Sequence, residues 1–337
     1  MADTLLGSFV WCELMTTDSP AADAFYKKVV GWRSVPYAPD GSYMVFNNPS
    51  GAGVAGLMKI PDAAKQMGTP PSWLMYVGTP NVDQTAMRVA QFGGRVVKQP
   101  EDIPGTGRFA VVQDPYGATF GLFQPPPNRP GRSGRPGVGD FSWFELYTPN
   151  PDGAWKFYQA LFGWEKTSAM DMGEMGVYQM FGRGGAVPDG GIMKPPPGAP
   201  TAWLPYALVK DARSAAAAAT ANGGKIINGP MQVPGGDWIA QGIDPQGAMF
   251  SVHSLAATAK AAAPVKKAAP TSAKATAGKP ARKAAPAKAA AKKTAKKAAK
   301  KLTRKASPKK PAAKKAKPKP VKRSAKPAKK KAARRKK

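Results

Sequence analysis

Two carboxylates stand next to tryptophan at a spacing that puts each pair on one face of a strand. Ser8–Met15 alternates, with Phe9, Trp11 and Glu13 on one side and Val10, Cys12 and Leu14 on the other. The phrase returns as Phe141-Ser-Trp143-Phe-Glu145-Leu146. An indole supplies a stacking surface. A carboxylate beside it supplies hydrogen-bond acceptors or, if burial lifts its pKa, a general base. Other reactive types are scarce, with one histidine, His253, and one cysteine, Cys12. A zinc finger, a multi-histidine metal centre and an intrachain disulfide are excluded by count. His253 is expected to be structural or at the surface, and Cys12 to be core. Gly105-Thr-Gly107 and Gly235-Gly236 lack a Gly-Lys-Ser/Thr continuation and read as loop glycines.

The charge is unevenly placed. Of 51 Lys+Arg, 32 lie between Ala256 and Lys337, a stretch with no acidic residue and no aromatic. The first 255 residues hold the other 19 basic and all 20 acidic residues, a net of −1. A uniformly basic domain is thereby excluded. Lys, Ala and Pro offer too little apolar surface to offset chain entropy, so the 256–337 tail is expected to be disordered. The start of the chain has no basic n-region or apolar h-region, and no run reaches the ~18–20 apolar residues of a bilayer span. The expected location is the cytoplasm, at the nucleoid if the tail binds DNA.

The 255-residue body is a tandem repeat. Phe25-Tyr26 recurs as Phe157-Tyr158 and Gly31-Trp32 as Gly163-Trp164, at the offset of 132 set by the Trp-x-Glu phrases. Gly56–Lys59 matches Gly191–Lys194 at 135. Trp73, Leu74 and Tyr76 match Trp203, Leu204 and Tyr206 at 130, as Asp114-Pro115, Gly117 and Phe120 match their counterparts. Residues 1–124 and 140–255 form the two halves, and the Pro/Gly/Arg-rich 125–139 reads as a linker. In the first half the spacing predicts strands over Ser8–Met15, Tyr43–Asn47, Val54–Ile60, Trp73–Val77, Arg95–Lys98, Phe109–Asp114 and Ala118–Phe123. It predicts helices over Ala21–Val30, capped by Asp18 and closed at Gly31, and over Val82–Phe92, closed at Gly93-Gly94. By itself this pattern supports an α+β class with a mostly antiparallel sheet.

Trp-x-Glu-Leu in the first strand, Phe-Tyr followed by Gly-Trp, and Asp-Pro-x-Gly-Ala with Phe120 resemble the vicinal oxygen chelate superfamily, which includes glyoxalase I, extradiol dioxygenases and bleomycin-resistance proteins. The resemblance covers about Leu6–Leu255. It implies two tandem domains, each a pair of βαβββ modules folded into a cupped sheet with a ligand pocket in the cup. Enzymes of that superfamily carry metal ligands seven residues before the helix-opening Asp and seven after the Asp of the Asp-Pro-x-Gly turn. Here those places are Trp11 and Gly121, then Trp143 and Ser251, with Leu74 and Leu204 at the first-strand positions of the second modules. None is a normal ligand for a divalent ion, so no metal and no cofactor are expected, and the superfamily's metalloenzyme activity does not transfer. What the cups retain is Trp11, Glu13 and Tyr76 in one half and Trp143, Glu145 and Tyr206 in the other. Such a set suits a flat or cationic organic ligand. It equally suits indoles that simply fill the cup, with the carboxylates hydrogen-bonded inside.

The tail resembles linker-histone C-terminal tails and the Lys/Ala/Pro-rich histone-like proteins of bacteria. Its basic pairs include Lys266-Lys267, Lys292-Lys293, Lys296-Lys297, Lys300-Lys301, Lys309-Lys310 and Lys314-Lys315. Unopposed charge of this density drives counterion release from double-stranded DNA, or from another polyanion, without base readout. No long apolar face favours membrane insertion. Two functional readings follow. One is a metal-free small-molecule binder that its tail tethers to DNA; the other is a nucleoid-associated DNA-binding protein with an inert scaffold body. A lyase- or dioxygenase-type enzyme remains a further alternative.

Overall fold

A computed structural model describes residues 5–127, 134–185 and 187–256. The tail, with its lysine pairs from Lys266 to Lys315, lies outside the described residues.

The first half runs β1 (Phe9–Thr16), α1 (Ser19–Val29), β2 (Arg33–Pro36), β3 (Tyr43–Asn47), β4 (Gly53–Lys59), α2 (Asp62–Gln66), β5 (Ser72–Gly78), α3 (Val82–Gln91), β6 (Arg95–Ile103), β7 (Gly107–Gln113) and β8 (Thr119–Gln124). The second half repeats it without the short α2. Its elements are β9 (Phe141–Tyr147), α4 (Pro151–Phe162), β10 (Glu165–Asp171), β11 (Val177–Gly182), β12 (Gly190–Met193), β13 (Ala202–Leu208), α5 (Ala212–Ala221), β14 (Lys225–Gln232), β15 (Trp238–Ile243) and β16 (Met249–Ser254). A 3-10 turn, Gly173–Met175, sits between β10 and β11. Helix starts follow the sequence. Asp18, Asn81, Asn150 and Asp211 each accept a first-turn backbone N–H. Gly163 closes α4 in the left-handed conformation that costs a residue with a Cβ.

Each half is one eight-stranded sheet, ordered β2-β3-β4-β1-β5-β8-β7-β6 and β10-β11-β12-β9-β13-β16-β15-β14. Two βαβββ modules meet at the antiparallel β1–β5 and β9–β13 pairs, while β1–β4 and β5–β8 run parallel. The class is α+β, with paired modules in both sheets.

The helix-bearing faces of the two sheets share a single core. Phe9 stacks on Phe144 with ring centroids 3.7 Å apart. The family phrases turn out to build this seam. Asp114, in the first-half Asp-Pro-x-Gly turn, receives the Tyr158 hydroxyl of the second half at 3.0 Å, and Asp244 receives Tyr26 at 3.0 Å. Trp203 and Trp73 donate to those same tyrosine oxygens at 2.9 and 3.0 Å. The Gly-Trp indoles cross as well, Trp32 to the Gly139 carbonyl at 2.7 Å and Trp164 to that of Gly7 at 2.9 Å.

Strand alternation misplaced Phe9. The β1–β5 register shifts between Phe9 and Trp11, and that irregularity turns Phe9 away from Glu13 and into the shared core. The same shift beside Tyr206 turns Phe141 against Trp32 and Trp73. β6 runs to Ile103 rather than ending at Lys98, with two register irregularities against β7 along the way.

Candidate functional site

The outer, concave faces of the sheets carry the paired carboxylates. In the first half, Trp11 and Glu13 of β1 lie beside Tyr76 of β5, since Trp11 registers with Tyr76 and Tyr76 with Gly121. The Tyr76 hydroxyl donates to Glu13 Oε1 at 3.2 Å. Tyr43, on β3, donates to Glu13 Oε2 at 2.9 Å and accepts from Trp11 Nε1 at 3.1 Å. The structure therefore brings Trp11, Glu13 and Tyr76 together and adds Tyr43. Trp11, Glu13 and Tyr43 are half-buried, and Tyr76 is buried. The carboxyl lies deeper than the rest of Glu13. Desolvation raises its pKa, and the bonds from Tyr43 and Tyr76 partly offset the rise. Close neighbours make room for this arrangement. A Cβ on Gly56 would fall 2.0 Å from the Tyr43 hydroxyl, and one on Gly121 2.0 Å from the Tyr76 ring.

The second half repeats the plan with more partners. Trp143 Nε1 donates to Tyr178 at 2.7 Å, Tyr178 to Glu145 Oε2 at 2.9 Å, and Tyr206 to Glu145 Oε1 at 2.9 Å. Gln241 adds an amide bond to Oε1 at 3.2 Å and another to Tyr147 at 2.8 Å, and Tyr147 also bonds the carboxyl. Glu145 is 7 % exposed. Burial raises its pKa against the pull of those four donors. Tyr147, Tyr178, Met193, Leu204 and Tyr206 form a buried cluster over this face, with Met175 of the 3-10 turn packed on it. In this half the residues fill the cup themselves.

The first cup is closed differently. Tyr37 follows β2 and Thr106 precedes β7, at far ends of the strand order, yet their hydroxyls are 2.6 Å apart. The sheet thus curls until its distant edges touch, part of the way to a barrel. Tyr37 is 60 % exposed and lies edge-on to Tyr43, ring centroids 6.0 Å apart. In the second half Met170 stands opposite Tyr178 as Tyr37 stands opposite Tyr43, and Gly236 takes the place of Thr106; neither has a hydroxyl.

His253 is held by Ser142 at 2.8 Å through Nδ1 and by Asp237 at 2.9 Å through Nε2. Cys12 is buried in the shared core. The superfamily's metal does not fit these residues. The Tyr76 ring fills the space beside Gly121, and the other positions carry Trp11, Leu74, Trp143, Leu204 and Ser251. Among the described residues no three His, Cys, Asp or Glu side chains converge.

Sequence reasoning missed Tyr43, Tyr178, Tyr147 and Gln241. For the first two a signal existed, because Tyr43 and Tyr178 recur at the offset of 135 shared by Gly56 and Gly191, the glycines they cover. Tyr147 and Gln241 correspond to Met15 and Val111, so no repeat marks them.

Comparison with known proteins agrees with this architecture. The model of the Glyoxalase/Bleomycin resistance protein/Dioxygenase superfamily matches residues 8–122. The putative glyoxylase CFP32 of Mycobacterium tuberculosis is 37 % identical over 246 residues, covering 72 % of this chain and 92 % of that protein. The anthracycline biosynthesis protein DnrV of Streptomyces peucetius is 30 % identical over 266 residues, 74 % of this chain and 94 % of its own. Among solved structures, the Mn(II)-bound glyoxalase of Novosphingobium aromaticivorans shares the fold at a TM-score of 0.52 and 18 % identity, over 74 % of this chain and 82 % of that one.

Proposed function

From the premise that the chain belongs to the glyoxalase/bleomycin-resistance/dioxygenase superfamily, we propose that it is a metal-independent binder of a small, flat organic molecule. In this reading the first cup is the working site, the second is structural, and the tail tethers the body to double-stranded DNA or another polyanion at the nucleoid. The observation that carries it is the contrast between the two carboxylates. Glu13 is half-buried beside Trp11 and two tyrosines, whereas Glu145 is sealed by four donors. The name of DnrV supplies a chemical class to try, because an anthracycline combines a planar fused-ring system with an amino sugar. Among the described residues no helix is long and apolar enough to cross a membrane.

The test is a fluorescence titration of the nucleic-acid-free full chain with an anthracycline, before and after dialysis against chelator. One ligand per chain, lost in Trp11→Ala and unaffected by chelator, is expected. Two ligands per chain would put the second cup to work, and loss of binding on chelation would end the metal-independent reading. A second reading has one observation in its favour. A carboxyl whose pKa is lifted by burial has the character of a general base. Turnover of a bound compound, abolished by Glu13→Gln, would turn the binder into an enzyme of the superfamily.

A further inference from the structure

We infer that the first cup selects ligands that donate hydrogen bonds, above all protonated amines carried on a flat ring, and rejects anions. The inference rests on the proposed role of this cup as a ligand site and names the chemistry the site would accept.

The direction of each polar hydrogen in the cup carries the argument. Trp11 N–H is spent on Tyr43, the Tyr43 O–H on Glu13 Oε2, and the Tyr76 O–H on Glu13 Oε1. All three donors point inward along one chain that ends on the carboxylate. A carboxylate offers about four lone-pair sites, of which two are used here, and the Tyr76 oxygen keeps acceptor capacity of its own. An incoming molecule that reached the carboxyl would meet unfilled acceptors. The groups that bond the Glu13 carboxyl are the neutral hydroxyls of Tyr43 and Tyr76. Two basic groups of β6 and β7 have other work, Lys98 pairing with Glu101 at 2.6 Å over the Phe109 ring and Arg108 with Asp83 and Asp102. A ligand carboxylate or phosphate would face a like charge with no donor to receive it. An ammonium would fill the two free sites while its ring lay against Trp11, the half-buried indole.

The second half is the internal control. Glu145 receives Tyr178, Tyr206, Tyr147 and Gln241, so its four sites are filled. Tyr147 and Gln241 correspond to Met15 and Val111 in the first half. Those two apolar residues remove two donors and leave two acceptor sites open. The sequence difference between the copies is thus a difference of two hydrogen bonds at the carboxylate.

Three probes of one shape test this on the full chain: 2-naphthylmethylammonium, 2-naphthylmethanol and 2-naphthoate. Calorimetric titration in ~0.3 M salt screens the tail. The ammonium should bind at least tenfold more tightly than the alcohol, and the carboxylate should not bind. Glu13→Gln should cut ammonium binding at least tenfold and leave the alcohol within twofold. Should that variant misfold, Met15→Tyr/Val111→Gln copies the second-half solution and should abolish ammonium binding in a folded chain. Carboxylate binding equal to that of the ammonium, or equal weakening of all bound probes by Glu13→Gln, would overturn the selectivity and leave the ligand site standing. Failure of all three probes to bind would remove the ligand site and the selectivity together.

Discussion

The seam between the halves gives the sharpest stability prediction. Tyr26 sits between Trp73 Nε1, which donates to its oxygen at 3.0 Å, and Asp244 Oδ2, which accepts from it at 3.0 Å. All three residues are buried, at 1 %, 9 % and 3 % exposure. Tyr26→Phe keeps the ring and its packing but leaves one indole N–H and one carboxylate oxygen without that partner. Each orphaned buried group costs about 1–3 kcal/mol, so the expected loss is about 2–6 kcal/mol. For a unit of this size that corresponds to a fall of roughly 5–15 °C in melting temperature. Tyr158→Phe should cost about the same, because Trp203, Tyr158 and Asp114 repeat the arrangement at 2.9 and 3.0 Å. Tyr37→Phe is the control, since its exposed hydroxyl bond should be worth less than ~0.5 kcal/mol. The assay is urea unfolding of the full chain followed by tryptophan emission and circular dichroism. Both seam variants should lower the midpoint with the slope unchanged and in one transition. A loss below ~0.5 kcal/mol for Tyr26→Phe, or two separate transitions, would refute the shared-core account.

Three further outcomes are expected. Gly56→Ala forces the Tyr43 hydroxyl away from Glu13, because the added Cβ would stand 2.0 Å from it. Melting should show a loss of about 1–3 kcal/mol, and probe titration should show weakened binding in the first cup; unchanged binding would make Tyr43 dispensable. Burial raises the Glu145 carboxyl above its ordinary 4.5, so the folded state favours its protonated form. Its contribution to stability is fully present below about 4.5 and is lost as pH rises through the raised value. Unfolding titrations should therefore show wild type losing ground to Glu145→Gln as pH rises over that window, and a constant difference would contradict the assignment. For the tail, the full chain should bind duplex DNA with a log–log salt slope near −7 if ~8 phosphates are neutralised at once, whereas a chain ending at residue 256 should not bind. Equal affinity of the two in a salt titration would take nucleic acid out of the account.

Much of this architecture was legible because the sequence states it twice. Alternation put Trp11 with Glu13, and the offset of 132 copied the pair into the second half, where the structure has it. Alternation failed at Phe9, because a register shift of one strand against its neighbour leaves no mark on the strand's own sequence. The Phe-Tyr, Gly-Trp and Asp-Pro-x-Gly phrases were visible as signatures, but their role was not. They join residues as far apart as Tyr26 and Asp244, and only the packing of one half on the other brings those together. Tyr43 was legible as part of a strand. That it reaches Glu13 depends on β4 lying between β3 and β1 and on Gly56 leaving the path open.

The two copies also show what a buried carboxyl demands. Desolvating one is costly unless its lone pairs are filled, and four donors fill those of Glu145 while Tyr and Met side chains exclude water. The first half has the same glutamate, indole and tyrosines but Met15 and Val111 where donors would be needed, so complete sealing there would strand two acceptor sites. Glu13 is accordingly left half-buried, under one tyrosine–threonine contact instead of a packed cluster. A sequence that already contains the sealed solution in one copy forgoes it in the other. Local stability given up where a sealed alternative exists is what the proposed ligand site in the first half would require.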